Sequence, residues 1–229
     1  MKLLLIDSCG AQGGVALADT EQAQPVVSAI PLLGRTFSVR LIPAVREALA
    51  AAGLTLPQLD AIVIVHGPGS FTGVRVGVSA AKGLADATGL PVIALSRLAV
   101  LASLTTAEAA HVALDAGRGE FYYGRYRNHG RRCEQEALRK REEVLAACAA
   151  GAFPLVVCED AVAVALAEAV PTQIAAPMPA DALALATDAF VAGQFADVAL
   201  LDANYLRRSD AEIFSRPQLQ TSPTGKAVV

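Results

Sequence analysis

The sequence predicts an α/β protein built from two similar halves. Three observations carry that expectation. Short apolar runs end in Gly-rich turns, segments with helical apolar spacing lie between them, and a strand–Asp–Gly–strand pattern occurs twice. With 229 residues, 54% of them hydrophobic, the chain is long enough for one large domain or two small ones with real cores.

Residues 2–6 read as a strand, residues 7–14 as a Gly-rich turn and residues 15–18 as the returning strand, a hairpin with Asp7 at its bend. Ser38 is placed to cap a helix over residues 39–52 that stops at Gly53. Leu41, Val45, Ala48, Leu49 and Ala52 form its apolar face. The apolar run 61–65 then meets His66-Gly67-Pro68-Gly69-Ser70-Phe71-Thr72-Gly73-Val74-Arg75-Val76-Gly77, where a strand ends and a helix begins. Gly67 and Gly69 permit the turn, Pro68 stiffens it, and Thr72 is expected to cap a helix running to about residue 87. Along that helix Gly73, Gly77, Ala81 and Ala85 make a stripe of very small side chains. A helical Gly costs about 1 kcal/mol relative to Ala, so Gly77 and Gly83 need a compensating close approach, either inside this subunit or to a partner.

In the second half, residues 111–114 lead into Asp115, with Gly117 and Gly119 in the turn and a returning strand over 121–126. A helix follows over 142–150, then a strand over 154–158, an Ala-rich helix before Pro171, and a helix over 180–192 that stops at Gly193. The polar tail after Arg208, containing Pro217 and Pro223, is expected to fray at its end. The division falls at 1–104 and 105–229, with the tail expected to pack back.

Composition restricts the function classes. A net charge of −3 disfavours a protein that grips nucleic acid alone. Arg125, Arg127, Arg131, Arg132, Arg139, Lys140 and Arg141 form a local basic run, but Glu134, Glu136, Glu142 and Glu143 dilute it and it reads as a solvated face. Cys9, Cys133, Cys148 and Cys158 have no C-x-x-C spacing, so reduced, buried or half-buried thiols and a cytoplasmic location are expected. The N-terminus lacks a signal-peptide pattern. The longest apolar stretch, 144–158, is broken by Gly151 and Pro154 and falls short of the about 20 residues of a membrane helix.

The chemistry-bearing residues leave alternatives open. The strand–turn–helix at 61–87 suits an anion but lacks the ending of a Walker phosphate loop and any nucleophile elbow. Asp7 and Asp115 could hold a hydrated magnesium ion near a nucleotide, although an Asp in such a turn more often caps its own backbone. His66, His111 and His129 make no metal-binding spacing, and His66 reads as a turn residue or a ligand contact. Ser70 has no base partner in the sequence. Arg75 and Lys82 could reach an anion or a partner carboxylate, or simply be solvated.

Gly67-Pro68-Gly69-Ser70-Phe71-Thr72-Gly73-Val74-Arg75 strongly resembles the signature of the TsaB (YeaZ) family, bacterial partners in making threonylcarbamoyladenosine on tRNA. Leu4-Leu5-Ile6-Asp7-Ser8, the segment from Val92 to Leu98, the segment from Ala113 to Tyr122 and Asn204-Tyr205-Leu206-Arg207-Arg208 are similar to further family segments. Phe37 and Ala203 depart from it, standing where His and Pro are usual. The paired hairpins resemble the actin, sugar kinase and Hsp70 (ASKHA) superfamily, in which such hairpins embrace nucleotide phosphates. The resemblance implies a two-domain actin-like α/β fold with duplicated mixed sheets, flanking helices and a reduced second domain.

It also implies a non-catalytic partner of a TsaD-type paralogue, with a TsaE-type ATPase as third partner and a homodimer possible through the same helices. On this resemblance tRNA is contacted only indirectly. The first two helices are the association surface, with Leu41, Val45, Gly73, Arg75, Gly77 and Ala81 as its candidate residues. Asp7, Gly67, Gly69 and Asp115 are the candidates for a nucleotide or phosphate. No catalytic residue, metal site or tightly bound cofactor is expected, ATP and magnesium being held by partner proteins or at a composite interface. A small ATP-dependent phosphotransferase using Asp7 and Asp115 is the alternative, though no adenosine-binding Gly-Gly segment follows Leu155. A peptidase, the third reading, has no identifiable nucleophile or metal.

Overall fold

A computed structural model describes residues 1–206. Residues 207–229, which include the polar tail, lie outside the described residues.

The first hairpin is β1 (Lys2–Asp7) and β2 (Gln12–Asp19), continued antiparallel by β3 (Val26–Leu33). Helix α1 (Phe37–Ala52) crosses to β4 (Ala61–Val65), and α2 (Phe71–Thr88) crosses to β5 (Val92–Leu95). Both β4 and β5 run parallel to β1, giving the order β3-β2-β1-β4-β5. Every residue of β4 is buried, as expected of a parallel strand covered on both faces.

After α3 (Arg97–Ser103) the pattern repeats. Strands β6 (Ala109–Gly117), β7 (Glu120–Arg127) and β8 (Arg132–Lys140) form an antiparallel meander. Helix α4 (Arg141–Ala150) leads to β9 (Leu155–Val157), and α5 (Asp160–Ala165) leads to β10 (Thr172–Gln173). Strands β9 and β10 run parallel to β6, so the second sheet, read from β8, has the same order as the first. The duplication is therefore topological, and the two-residue β10 marks the second lobe as the reduced one.

The halves exchange a helix. Leu98, Leu101 and Ala102 of α3 pack with Val112, Tyr126 and Val156 of the second sheet. Conversely, α6 (Leu183–Val191) puts Leu185, Ala186 and Ala189 into the core of the first lobe, and Ala196 N donates to Val92 O (2.8 Å) beside β5. Packing thus cuts across the chain division at 104/105, which ties the two lobes together.

Several local expectations need correction. Strand β3 is absent from the periodicity reading because it is an edge strand with Val26, Val27 and Leu33 exposed, so it lacks a fully apolar signature. Strand β8 lies inside the basic run, whose charges hid its pairing. Helix α1 starts at Phe37, before Ser38, behind a 3-10 turn over Gly34–Thr36, and no side chain caps it. Phe37 itself is buried, so the aromatic ring at this departure from the family pattern is a core side chain. Helix α2 starts at Phe71, and its cap is Ser70 rather than Thr72: Gly73 N donates to Ser70 Oγ (3.3 Å).

Candidate functional site

Two places bring the chemistry-bearing residues together: the start of α2 with its neighbour α1, and the cleft between the lobes.

The loop after β4 locks onto the first hairpin. Ser70 N donates to Cys9 O (2.8 Å), and Gly69 packs so near that a Cβ there would lie 2.4 Å from Cys9 O. Gly67 is buried, with φ +108. One turn into α2, Ser8 Oγ donates to Gly73 O (2.7 Å), and a Cβ on Gly73 would sit 2.1 Å from Ser8 O. The small-residue stripe thus admits the Ser8 turn against the helix backbone.

This packing bears on the six residues that the resemblance puts on the association surface, two of which, Leu41 and Arg75, line the groove between α1 and α2. Gly73, Gly77, Ala81, Leu41 and Val45 all face inward. Of the six candidates only Arg75 is exposed. The reason is helical phase: positions 73, 77, 81 and 85 share one face, and positions 71, 75 and 79 lie across the helix from it. The outward face carries exposed apolar side chains, with Val39 68%, Phe71 49% and Ile42 39% exposed. Together with Leu41, Pro43, Val76 and Ala80 they line an open groove of about 610 Å³ between α1 and α2. The available signal was a large apolar residue falling off the buried stripe, which Val39, Ile42 and Phe71 each do.

The cleft, about 1090 Å³, is walled by Cys9, Gly10, Gly34, Thr36, Gly69 and Ser70 on one side and Asp115, Tyr122 and Glu159 on the other. Asp7 lies behind this wall with no exposed surface, and its Oδ1 accepts from Cys9 N (2.8 Å). Its Oδ2 has no partner among the described residues. Burial raises the Asp7 carboxyl above its ordinary value, with Arg97 opposing only in part. Arg97, itself buried at the start of α3, lines the cleft and was missed as a site residue because an Arg after an apolar strand carries no local signal.

Asp115 also caps its own turn, since Gly117 N donates to its Oδ1 (2.8 Å), while Asp115 N donates to Glu159 Oε2 (2.7 Å). Of this pair, Asp115 is exposed and lines the cleft, whereas Asp7 is fully buried behind it and biased toward its neutral form, which weakens it as a magnesium ligand.

The remaining candidates have local partners. His66 Nδ1 sits 3.1 Å from Asp202 O, and buried His111 has Nδ1 2.6 Å from Tyr123 OH. Lys82 Nζ donates to the carbonyls of Ala199 and Leu201 (3.2 and 3.0 Å). Five of the seven residues of the basic run are in ion pairs: Arg125 and Arg127 with Glu134, Arg139 with Glu143, Arg141 with Glu168 and Arg131 with Asp188. Among the described residues no helix is long and apolar enough to cross a membrane, and all four cysteines are free, Cys133 being exposed rather than half-buried.

Two hairpin-led α/β lobes of the same strand order, facing one another across a cleft and sharing helices, define a two-domain actin-like protein. Residues 31–215 match the family model described as TsaD, tRNA N6-adenosine threonylcarbamoyltransferase. A solved structure from Pseudomonas aeruginosa, titled as an uncharacterized protein with similarity to peptidase YEAZ, superposes with a TM-score of 0.76 at 31% identity, covering 90% of this chain and 99% of that one. The chain belongs to the TsaB (YeaZ) group of this family. Curated relatives named tRNA threonylcarbamoyladenosine biosynthesis protein TsaB are 46% identical over 96 residues in Haemophilus influenzae and 34% identical over 154 residues in Escherichia coli. The matches cover 40% and 63% of this chain, and span 41% and 64% of those relatives' own length.

Proposed function

We propose that this chain is a non-catalytic subunit in the formation of threonylcarbamoyladenosine on tRNA, docking and supporting a TsaD-type threonylcarbamoyltransferase through the outward face of α1 and α2. The observation that carries the reading is the exposed apolar groove formed by Val39, Ile42 and Phe71. Large apolar side chains gathered around one groove mark an interaction site, whereas exposed Val164, Val170 and Val191 line neither that groove nor the cleft. The names of the relatives supply the pathway, and the match to the TsaD model supports a paralogous partner with the same fold.

Chemistry then resides in the partner. Asp7 and Asp115 cap turns, and Ser70 Oγ serves as a helix cap, which argues against both the phosphotransferase and the peptidase readings. ATP and magnesium are held by the transferase, by a TsaE-type ATPase or at a composite interface. Transfer RNA is reached only through the complex, in keeping with the net charge of −3 and the paired arginines. The setting is the cytoplasm, where tRNA modification and free thiols are both at home.

Ile42→Asp and Val39→Asp place a carboxylate in the groove without touching the core. Both variants should keep the wild-type circular dichroism spectrum while losing copurification with the TsaD-type protein of the same organism and threonylcarbamoyl transfer in the reconstituted system. Normal binding by both folded variants would refute this face. Sustained ATP-dependent phosphoryl transfer by the isolated chain, abolished by Asp7→Ala, would refute the non-catalytic role.

A further inference from the structure

The outward face of α2 carries an oriented cation. Arg75 Nε donates to Tyr205 OH (2.6 Å), a residue 130 positions away in the chain. The Arg75 guanidinium carbon lies 3.7 Å from the Phe71 ring centroid and 5.6 Å from that of Tyr205, and the two rings are 6.0 Å apart at 43°. Both distances are within the range of cation–π attraction. Phe71 and Tyr205 therefore hold the guanidinium by stacking and by one hydrogen bond, while its two terminal nitrogens have no hydrogen-bond partner among the described residues.

The residue before Tyr205 is held from both lobes. Asn204 N donates to His66 O (2.8 Å) at the end of β4, and Asn204 Nδ2 donates to Glu136 Oε2 (2.8 Å) on β8. Just upstream, Lys82 of α2 anchors the segment through the carbonyls of Ala199 and Leu201. The nearby Asp202 uses Oδ1 to accept from Ala203 N (2.7 Å). Among the described residues Arg75 makes no ion pair, and it is the one charged side chain lining the α1–α2 groove.

We infer that Tyr205 is a positioning residue that presents Arg75 as a selective contact for a carboxylate on the docking surface of the TsaD-type partner. The inference rests on the reading of this face as the docking surface. Charge complementarity selects the occupant: a second copy of this chain would bring the same apolar side chains and another Arg75, with no carboxylate from the groove lining to meet it. A planar guanidinium held at Nε meets a carboxylate with its remaining edge, which gives direction as well as attraction. Arg and Tyr anchors of this kind concentrate binding energy where water is excluded.

The test measures affinity of the full chain for the TsaD-type protein at low and high ionic strength, by titration calorimetry, with sedimentation equilibrium of the chain alone. Arg75→Met should weaken binding roughly tenfold or more and flatten its salt dependence. Arg75→Lys should fail to restore affinity, because an ammonium has no planar edge. Tyr205→Phe keeps the ring and removes the hydroxyl acceptor; it should weaken binding about threefold to tenfold while melting like the wild type. Wild-type affinity and salt slope in both Arg75→Met and Tyr205→Phe, with Ile42→Asp still abolishing binding, would overturn the inference and leave the docking surface standing. If Ile42→Asp also binds normally, the docking surface fails and the inference falls with it. A tight homodimer that dissociates on Arg75→Met would overturn it too, by assigning Arg75 to a second copy.

Discussion

Gly77 and Ser8 meet so closely that a Cβ on Gly77 would lie 2.3 Å from Ser8 Oγ. The hydroxyl cannot swing aside without losing its bond to Gly73 O. Gly77→Ala should therefore lower stability by about 1–3 kcal/mol through overpacking, in spite of Ala's better helix propensity. Ser8→Ala removes the obstructing oxygen, so the double variant should recover part of the loss in a denaturant-unfolding cycle. Strict additivity of the two changes would place the strain elsewhere.

Asp7 sets a pH dependence whose sign follows from its burial. The folded state holds the Asp7 proton more tightly than the unfolded state, so its contribution favours folding most below the ordinary value of 3.8 and is lost as pH rises through the raised folded value. Asp7→Asn keeps an acceptor for Cys9 N and removes the buried charge. It should melt above the wild type at neutral pH, with the gap closing as the pH is lowered toward 3.8. Asp7→Ala loses the acceptor and should fall below Asp7→Asn by about 1–3 kcal/mol. A gap that widens on acidification would contradict the assignment.

The four thiols should separate by accessibility. Cys9 is fully buried, burial pushes Cys148 and Cys158 up to about 11, and exposed Cys133 is raised more modestly by partial burial and then by Glu136. Native alkylation followed by peptide mapping should label Cys133 first, faster at higher pH, and Cys9 only on unfolding. Rapid native labelling of Cys9 would mean that the Ser70–Cys9 contact opens.

Glu136 joins three segments, accepting from Ser96 Oγ, Tyr126 OH and Asn204 Nδ2. Burial and then the neighbouring carboxylate hold the Tyr126 phenol well above its usual range. Glu136→Ala leaves three donors without their acceptor and should lower stability by about 1–3 kcal/mol. Hydrogen exchange should rise in residues 202–206, while α1 stays protected. Unchanged exchange there would show that the His66–Asn204 bond alone holds the segment.

Much of the architecture was legible in the residues. The hairpin at Asp7, its counterpart at Asp115, the buried run of β4 and the helical phase of Leu41, Val45, Ala48 and Leu49 are local patterns, written within a few neighbouring positions and repeated along the chain. They determined an α/β fold in two like halves, and the string from Gly67 to Arg75 determined the family. What local pattern cannot encode is which surface a small-residue stripe meets. Gly73 and Gly77 signal a close approach in sequence, but only the tertiary structure decided that Ser8, 65 residues from Gly73, fills it from within. The same holds for Arg75 and Tyr205, and for Arg97 beneath the cleft: each relation joins chain segments that share no periodicity and meet because the two lobes exchange helices. A contact between distant segments depends on the packing of everything between them, so the sequence determined the elements that carry a local apolar pattern, and the fold alone decided the pairing of β3 and β8 and which helix residues turned inward or stayed exposed.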